Sequence, residues 1–351
     1  MDNKYYLALY DVRGIQDYIF RTPKLSEAIG ASYLVSEIIK NALMYSVNEE
    51  KKTNDFLRYR LDWFDDLGNA YDYDGTMDIE VMYIGGGNAC VMYKDCSLYK
   101  RINKRMSRYV IEKTYSLQLA CASVEKSENY AADYEELQKR LTNVKDSMVM
   151  SAPLGALPIM RTEISTGYPA IDINGIEYSS ETKIKKENAE KAQADLKYRE
   201  KQNDLYRTKK GVDSLMAVVH IDGNNMGIRI RSLIQDIQDY KVAIKKMREI
   251  SYRINYSYNK VFEDMRDYFN INSKNVRNFS EVNKKQYFIR KVIVGGDDIT
   301  YVCNANIAMA RVIRVQTGTT MSVAFAKEQK NVHSVVVAAS ANTVEERVKI
   351  K

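Results

Sequence analysis

The stretch VIVGGDDITYV, residues 292–302, sets two glycines and two aspartates between two runs of apolar and β-branched residues. Apolar runs broken by Gly and Asp are the signature of a β-hairpin, and Asp in a turn needs no function to explain it. Two adjacent carboxylates at a hairpin tip are also what a divalent-cation site asks for. The rest of the chain has to separate these readings.

Working outward, LMAVVHIDGNNMGIRI (215–230) reads as an apolar strand ending at Asp222, with helical segments between it and the hairpin. The same order stands earlier in the chain. YYLALYDVRGIQDYIF (5–20) is a strand ending near Asp11, LSEAIGASYLVSEIIKNALMYSV (25–47) is an amphipathic helix, and IEVMYIGGGNACVMY (79–93) is strand, glycine turn and strand. Asp11 lies 74 positions before Gly85, and Asp222 lies 73 before Gly295. Each hairpin is followed by a helix (SLYKRINKRMSRYVIEK, ANIAMARVIRVQ), a strand (SLQLACASVE, TTMSVAFAKE) and a further helix (YAADYEELQKRLTNVK, VVVAASANTVEERVK). This is an internal duplication.

Strand, helix, strand, strand, helix, strand is the βαββαβ order, so the expected fold is α+β, two tandem ferredoxin-like palm domains of polymerase or nucleotide-cyclase type. The expected boundaries are 1–150 for a first palm, 151–212 for a helical charged linker and 213–351 for a second palm. In such a sheet the first strand neighbours the hairpin, so Asp222 is expected beside Asp297 and Asp298. Three converging carboxylates repel unless a divalent cation neutralises them, which favours Mg²⁺ or Mn²⁺ over a plain hairpin. Gly295 and Gly296 allow close backbone approach to a phosphate. The turn Gly223, Asn224, Asn225, Met226, Gly227 offers backbone N–H groups at a helix start for a triphosphate. Lys327 and Lys330, just past the strand TTMSVAFAKE, are candidates to reach the same triphosphate, and solvated surface lysines are the plainer reading. The first half keeps the shape with GGGN and has no turn carboxylate, leaving Asp11 alone; Asp11 and Asn88 are either contacts to a second nucleotide or packing relics. His220, inside the apolar strand, reads as a packed core histidine.

Composition bounds the rest. A chain of 351 residues with 45% hydrophobic and 28% charged content is that of a soluble globular protein with room for two domains. It has no apolar run of about eighteen residues and no basic n-region leading a signal peptide, so it reads as cytoplasmic with no membrane span. The four cysteines are scattered, which argues against a zinc site or a disulfide scaffold, and neither His220 nor His333 is followed by Asp as in a metal-dependent phosphohydrolase. The net charge of +7 suits nucleic acid or nucleotides, and much of it lies in residues 183–210, expected as a solvated helix or linker.

GGDD between two apolar strands, with IDGNNMG ending an earlier strand, resembles the second palm of the large polymerase/cyclase subunit of type III CRISPR effector complexes. YDVRGIQDYIF with GGGNACVMY is similar to that family's first palm, and PIMRTEISTGYPA with YSSETKIKKENA to the segment linking the two. The resemblance implies an enzyme that joins ATP into cyclic oligoadenylate messengers in antiviral defence. It implies metal contacts at Asp222, Ile221, Asp297 and Asp298, RNA or effector subunits as partners, and pairing of the palms within the chain, with a homo-oligomer open. The expected reaction is attack of one ATP's 3′-hydroxyl on another's α-phosphate with loss of pyrophosphate. Asn224 stands where members often carry a second acid, the linker cysteines are absent near Arg161 and Thr162, and no His-Asp nuclease segment is present, which suggests a stand-alone relative or a fragment. A cyclase making a mono- or dinucleotide and a silent scaffold binding RNA or protein remain the alternatives.

Overall fold

The computed structural model of the chain describes residues 4–22, 24–65, 68–149, 157–173, 175–194, 216–223, 226–272, 289–295, 298–304, 319–326 and 335–340. The fold is α+β. Two compact units divide the chain, Met1–Glu190 with Gly227–Arg253, and Lys191–Met226 with Ile254–Lys351.

In the first unit β1 (Tyr6–Arg13) runs into Gly14, whose φ of 79° turns the chain into α1 (Ile15–Phe20). There follow α2 (Leu25–Lys51), β2 (Tyr59–Arg60), β3 (Ile79–Gly85), β4 (Asn88–Tyr93), α3 (Cys96–Thr114), β5 (Gln118–Glu125) and α4 (Tyr130–Ser147). Asp95 and Asn129 cap α3 and α4 by accepting from the backbone N–H of Leu98 and Ala132. The sheet order is β2-β3-β4-β1-β5, antiparallel except for the parallel β2–β3 edge.

Alternation along β1 sorts its two faces. Leu7 and Leu9 join Met82, Cys90 and Met92 in a core shared with Tyr130, Leu137 and Leu141 of α4. On the opposite face Tyr10 meets the Tyr93 hydroxyl at 2.8 Å, and Tyr93 packs on Tyr99 of α3.

The hairpin β6 (Ala170–Ile173) and β7 (Ile176–Ser179) leads into α5 (Ser180–Ala194). This part of the charged segment was expected to be solvated, and its early turns are packed instead. The fully buried Lys185 ammonium donates to the Tyr18 carbonyl and to Glu181, both at 2.6 Å, and Arg21 donates to Glu181 at 2.9 Å. A Cβ on Gly30 of α2 would stand 1.9 Å from the Lys185 carbonyl, so only glycine admits this approach. The i,i+4 spacing of Glu181 and Lys185 is visible in the sequence, but their burial is not, because Tyr18 and Arg21, which meet them, lie far along the chain.

The second unit holds β8 (Met216–Gly223), β9 (Ile289–Gly295), β10 (Asp298–Asn304), β11 (Thr319–Ala326) and β12 (Val335–Ser340), in the order β12-β11-β8-β10-β9 with every described pairing antiparallel. The segment from Val335 was expected to be helical, and residues 335–340 instead form β12 against β11. Three consecutive valines prefer the pleated edge, where β-branched side chains lose less χ1 freedom. Apart from the edge strands β2 and β12, the orders β3-β4-β1-β5 and β9-β10-β8-β11 are the same.

Between β8 and β9 run α6 (Met226–Ile234) and α7 (Tyr240–Asn272), and α7 enters both units. Tyr240, Ala243, Ile244 and Met247, spaced as one helical stripe, complete the first unit's core over Leu7 and Leu9. Arg248 is fully buried and donates to the carbonyls of Tyr71 and Val81 and to Glu80 at 3.0 Å. Further along, Phe262 lies 6.5 Å from the Tyr301 ring of β10 in the second unit. Among the described residues no helix is long and apolar enough to cross a membrane.

Candidate functional site

Pairing of β10 with β8 sets Asp298 directly opposite Asp222, and pairing of β10 with β9 sets it opposite Gly295. On its other side Asp222 faces Thr320 and Gly223 faces Thr319 of β11. Two carboxylate-bearing positions far apart in sequence thus share one row of the sheet, on one face of it. Gly296 and Asp297 of the turn lie outside the described residues, as do Asn224, Asn225, Lys327 and Lys330. Met226 and Gly227 open α6 after residues 224 and 225, and the first turn of any helix has backbone N–H groups without intrahelical partners. The Ile221 side chain is buried on the other face, so what it can offer a cation is its carbonyl oxygen.

His220 lies two residues before Asp222 and therefore on the same face. Its Nδ1 is 2.8 Å from the Thr300 hydroxyl, and its Nε2 is 3.9 Å from Oδ1 of Asp298. The His220 and Asp298 side chains are 27% and 35% exposed. The expectation of a packed core histidine is thus replaced by a half-buried ring held beside an acidic position. The signal was present in the sequence as the i, i+2 spacing to Asp222.

The first sheet repeats the row with different chemistry. Asp11 pairs with Asn88, and Asn88 with Gly85, the same register as Asp222, Asp298 and Gly295. Below that row, where the second sheet has His220 opposite Thr300, the first has the apolar pair Leu9 and Cys90, and burial pushes the Cys90 thiol well up. Asp11 receives the Lys145 ammonium of α4 at 2.6 Å. Gly86 and Gly87 take φ of 60° and 80°, and a Cβ on Gly87 would stand 2.4 Å from Ile15, so the tight first turn depends on glycine. Nothing in the sequence marks Lys145, whose role depends on how α4 lies along β1.

The oxygen donors of the second row suit a hard cation such as Mg²⁺ or Mn²⁺, and among the described residues one imidazole beside them does not make a structural zinc set. Among the described residues no three His, Cys, Asp or Glu side chains converge as a cation cluster. The third expected ligand, Asp297, is outside that set.

A Csm1–Csm4 cassette in complex with one ATP aligns with a TM-score of 0.53 at 14% identity, over 94% of this chain and 51% of that one. The cassette in complex with cA4 aligns at 0.50 and 15% identity over 92% and 50%, and Csm1 of T. onnurineus at 0.51 and 14% over 92% and 48%. The Csm1–Csm4 subcomplex is part of the type III-A CRISPR-Csm interference complex. In fold this chain is similar to Csm1, and it spans about half the length of the Csm1 chains it matches. No family model and no curated protein matches the sequence.

Proposed function

We propose that the chain is a metal-dependent nucleotidyltransferase that converts ATP into cyclic oligoadenylate, built as two tandem palms, 1–150 and 213–351, joined by a linker over 151–212. The observation that carries this reading is the register that sets Asp298 opposite Asp222 at a Gly-bearing hairpin end. The likeness to Csm1 chains solved with ATP and with cA4 supports it.

In this reading Asp222, Asp297 and Asp298, with the Ile221 carbonyl, hold Mg²⁺ or Mn²⁺, which supplies neutralisation of the triphosphate when bound. Gly295 and Gly296 let the hairpin backbone approach the phosphates without a Cβ in the way. Backbone N–H groups from Gly223 to Gly227 orient the same charge at the start of α6, with Lys327 and Lys330 as further cations. His220, hydrogen-bonded to Thr300, adds a polar neighbour 3.9 Å from the Asp298 carboxylate. Partner subunits of an effector complex, as Csm4 is for Csm1, extend the reading.

The test is incubation of the chain with each ribonucleoside triphosphate and Mg²⁺ or Mn²⁺, products identified by mass spectrometry, beside an Asp222→Ala/Asp298→Ala variant. Cyclic or linear oligoadenylate from ATP, absent with the variant, is the expected result. A cyclic mono- or dinucleotide would assign the other cyclase chemistry, and product that persists in the variant would remove the row as the site.

A further inference from the structure

The seam between α2 and α3, on the face of the first sheet opposite Asp11, has no part in the site above. Tyr45 of α2 and Tyr109 of α3 meet there with ring centroids 5.2 Å apart and planes 34° apart. Tyr45 is 45% exposed, its chain neighbour Met44 is 42% exposed, and Ile111 of α3 is 50% exposed. Six cations stand along the same seam and the outer stripe of α3: Lys52, Arg101, Lys104, Arg105, Arg108 and Lys113. Four carboxylates accompany them, one being Asp95, the α3 cap, near Arg101. Glu50 is buried beneath Arg101 and Arg105, Glu49 pairs with Lys52, and Glu112 with Arg108 at 2.6 Å. Lys113 lies 5.7 Å from the Tyr109 ring centre. Arg101 and Arg108 stay 49% and 78% exposed despite those pairs, and Lys104 is exposed with no ion pair among the described residues.

A half-exposed aromatic on a helix seam that carries more cations than carboxylates is poorly placed for a purely solvated helix pair. Guanidinium and ammonium groups attract phosphates, and a ring edge and face left open in their midst accept the face of an unpaired base. A duplex hides its base faces in the stack, and a membrane surface asks for a broad apolar face rather than two tyrosines. From charge complementarity and the open ring we infer that the α2–α3 seam is a binding surface for single-stranded nucleic acid, with a base stacked on Tyr45 and the backbone tracked by Arg101, Lys104, Arg105 and Arg108. The inference is independent of the nucleotidyltransferase reading.

Fluorescence anisotropy of the full chain with fluorescein-labelled oligouridylate, oligothymidylate and a duplex of the same length tests this across a series of KCl concentrations. Single strands are expected to bind more tightly than the duplex. Tyr45→Ala should weaken them by about 5- to 150-fold, the range of one lost base–aromatic stack, and Tyr45→Phe should restore binding. Lys104→Glu with Arg108→Glu should lower affinity and flatten the salt dependence by roughly 1.4 in log–log slope. Preference for oligouridylate would name the ligand RNA; parity would name single strands of either sugar. These positions are exposed, so thermal unfolding should match the parent and separate loss of binding from loss of fold. Strand affinity unchanged in both the Tyr45→Ala and the double-charge variant would overturn the inference. So would polyglutamate displacing the strands with Tyr45→Ala silent, which would assign the seam to an acidic protein.

Discussion

Asp11 opposite Asn88 and Asp222 opposite Asp298 occupy the same row in sheets of the same strand order, yet the two rows are built for different ends. In the first sheet the row below is Leu9 against Cys90, sealed under α4 and the start of α7, and the one carboxylate carries Lys145 as an internal cation. In the second the row below is His220 against Thr300, and the carboxylate position is doubled. A duplicated frame keeps its backbone register because every ladder hydrogen bond depends on it, whereas a side chain in the row can change with little effect on the ladder. Charge bookkeeping follows. A row with one acid can be neutralised by a neighbouring lysine, and a row with two or more calls for something brought from outside.

The largest effect is expected where the first sheet's cover is pinned. Arg248→Ala would leave the buried Glu80 with only the longer contact to Arg60 at 3.5 Å and should destabilise the first unit by about 3–5 kcal/mol, read by denaturant unfolding. Burial raises the Glu80 carboxyl even with Arg248 present, so Glu80→Gln in the Arg248→Ala background should recover part of that loss. Next comes the contrast between rows. Asp298→Asn should lower ATP turnover by about 100- to 1,000-fold, the scale of removing one electrostatic stabiliser, and Asn88→Ala should leave it within about two-fold. Equal losses at both rows would break the comparison.

A smaller effect belongs to Lys145. Lys145→Ala should change stability by no more than about 1 kcal/mol, since the pair is partly exposed. It should make the amide of Asn88 sensitive to Mn²⁺ in NMR relaxation, where the parent is insensitive. The smallest is a pH effect. Glu50 is subject to burial, which alone raises it, and the hydrogen bonds from Arg101 and Arg105 outweigh this and hold it below the ordinary carboxylate range. A depressed folded value means the stabilisation is full above the unfolded value of about 4.3 and is lost as pH falls through the folded one. The thermal unfolding midpoint should therefore fall as pH drops below about 4, and Glu50→Gln should flatten that slope.

Much of this was legible in order and spacing. The like order of the two sheets, the two hairpins and the facing of Asp222 and Asp298 follow from apolar periodicity and from the spacing of the strands. The helix expected after Val335 was misjudged because valine runs next to alanines satisfy either pattern until a neighbouring strand offers its ladder. Lys145 and Arg248 were illegible, because a lysine or arginine at a helix position reads as surface unless its distant partner is known, and Lys185, though four residues from Glu181, gave no sign of its burial against Tyr18.

By itself the sequence determined the frame: alternation sets which residues share a face, glycines mark the turns, and the matched spacing of Asp11 to Gly85 and Asp222 to Gly295 sets the register. Only the tertiary structure decided how each row is completed: Lys145 reaching Asp11, His220 held by Thr300 beside Asp298, and the start of α7 joining the first unit. Periodicity is a local property of the chain, while neutralising a charge depends on which distant side chain the packing delivers to it.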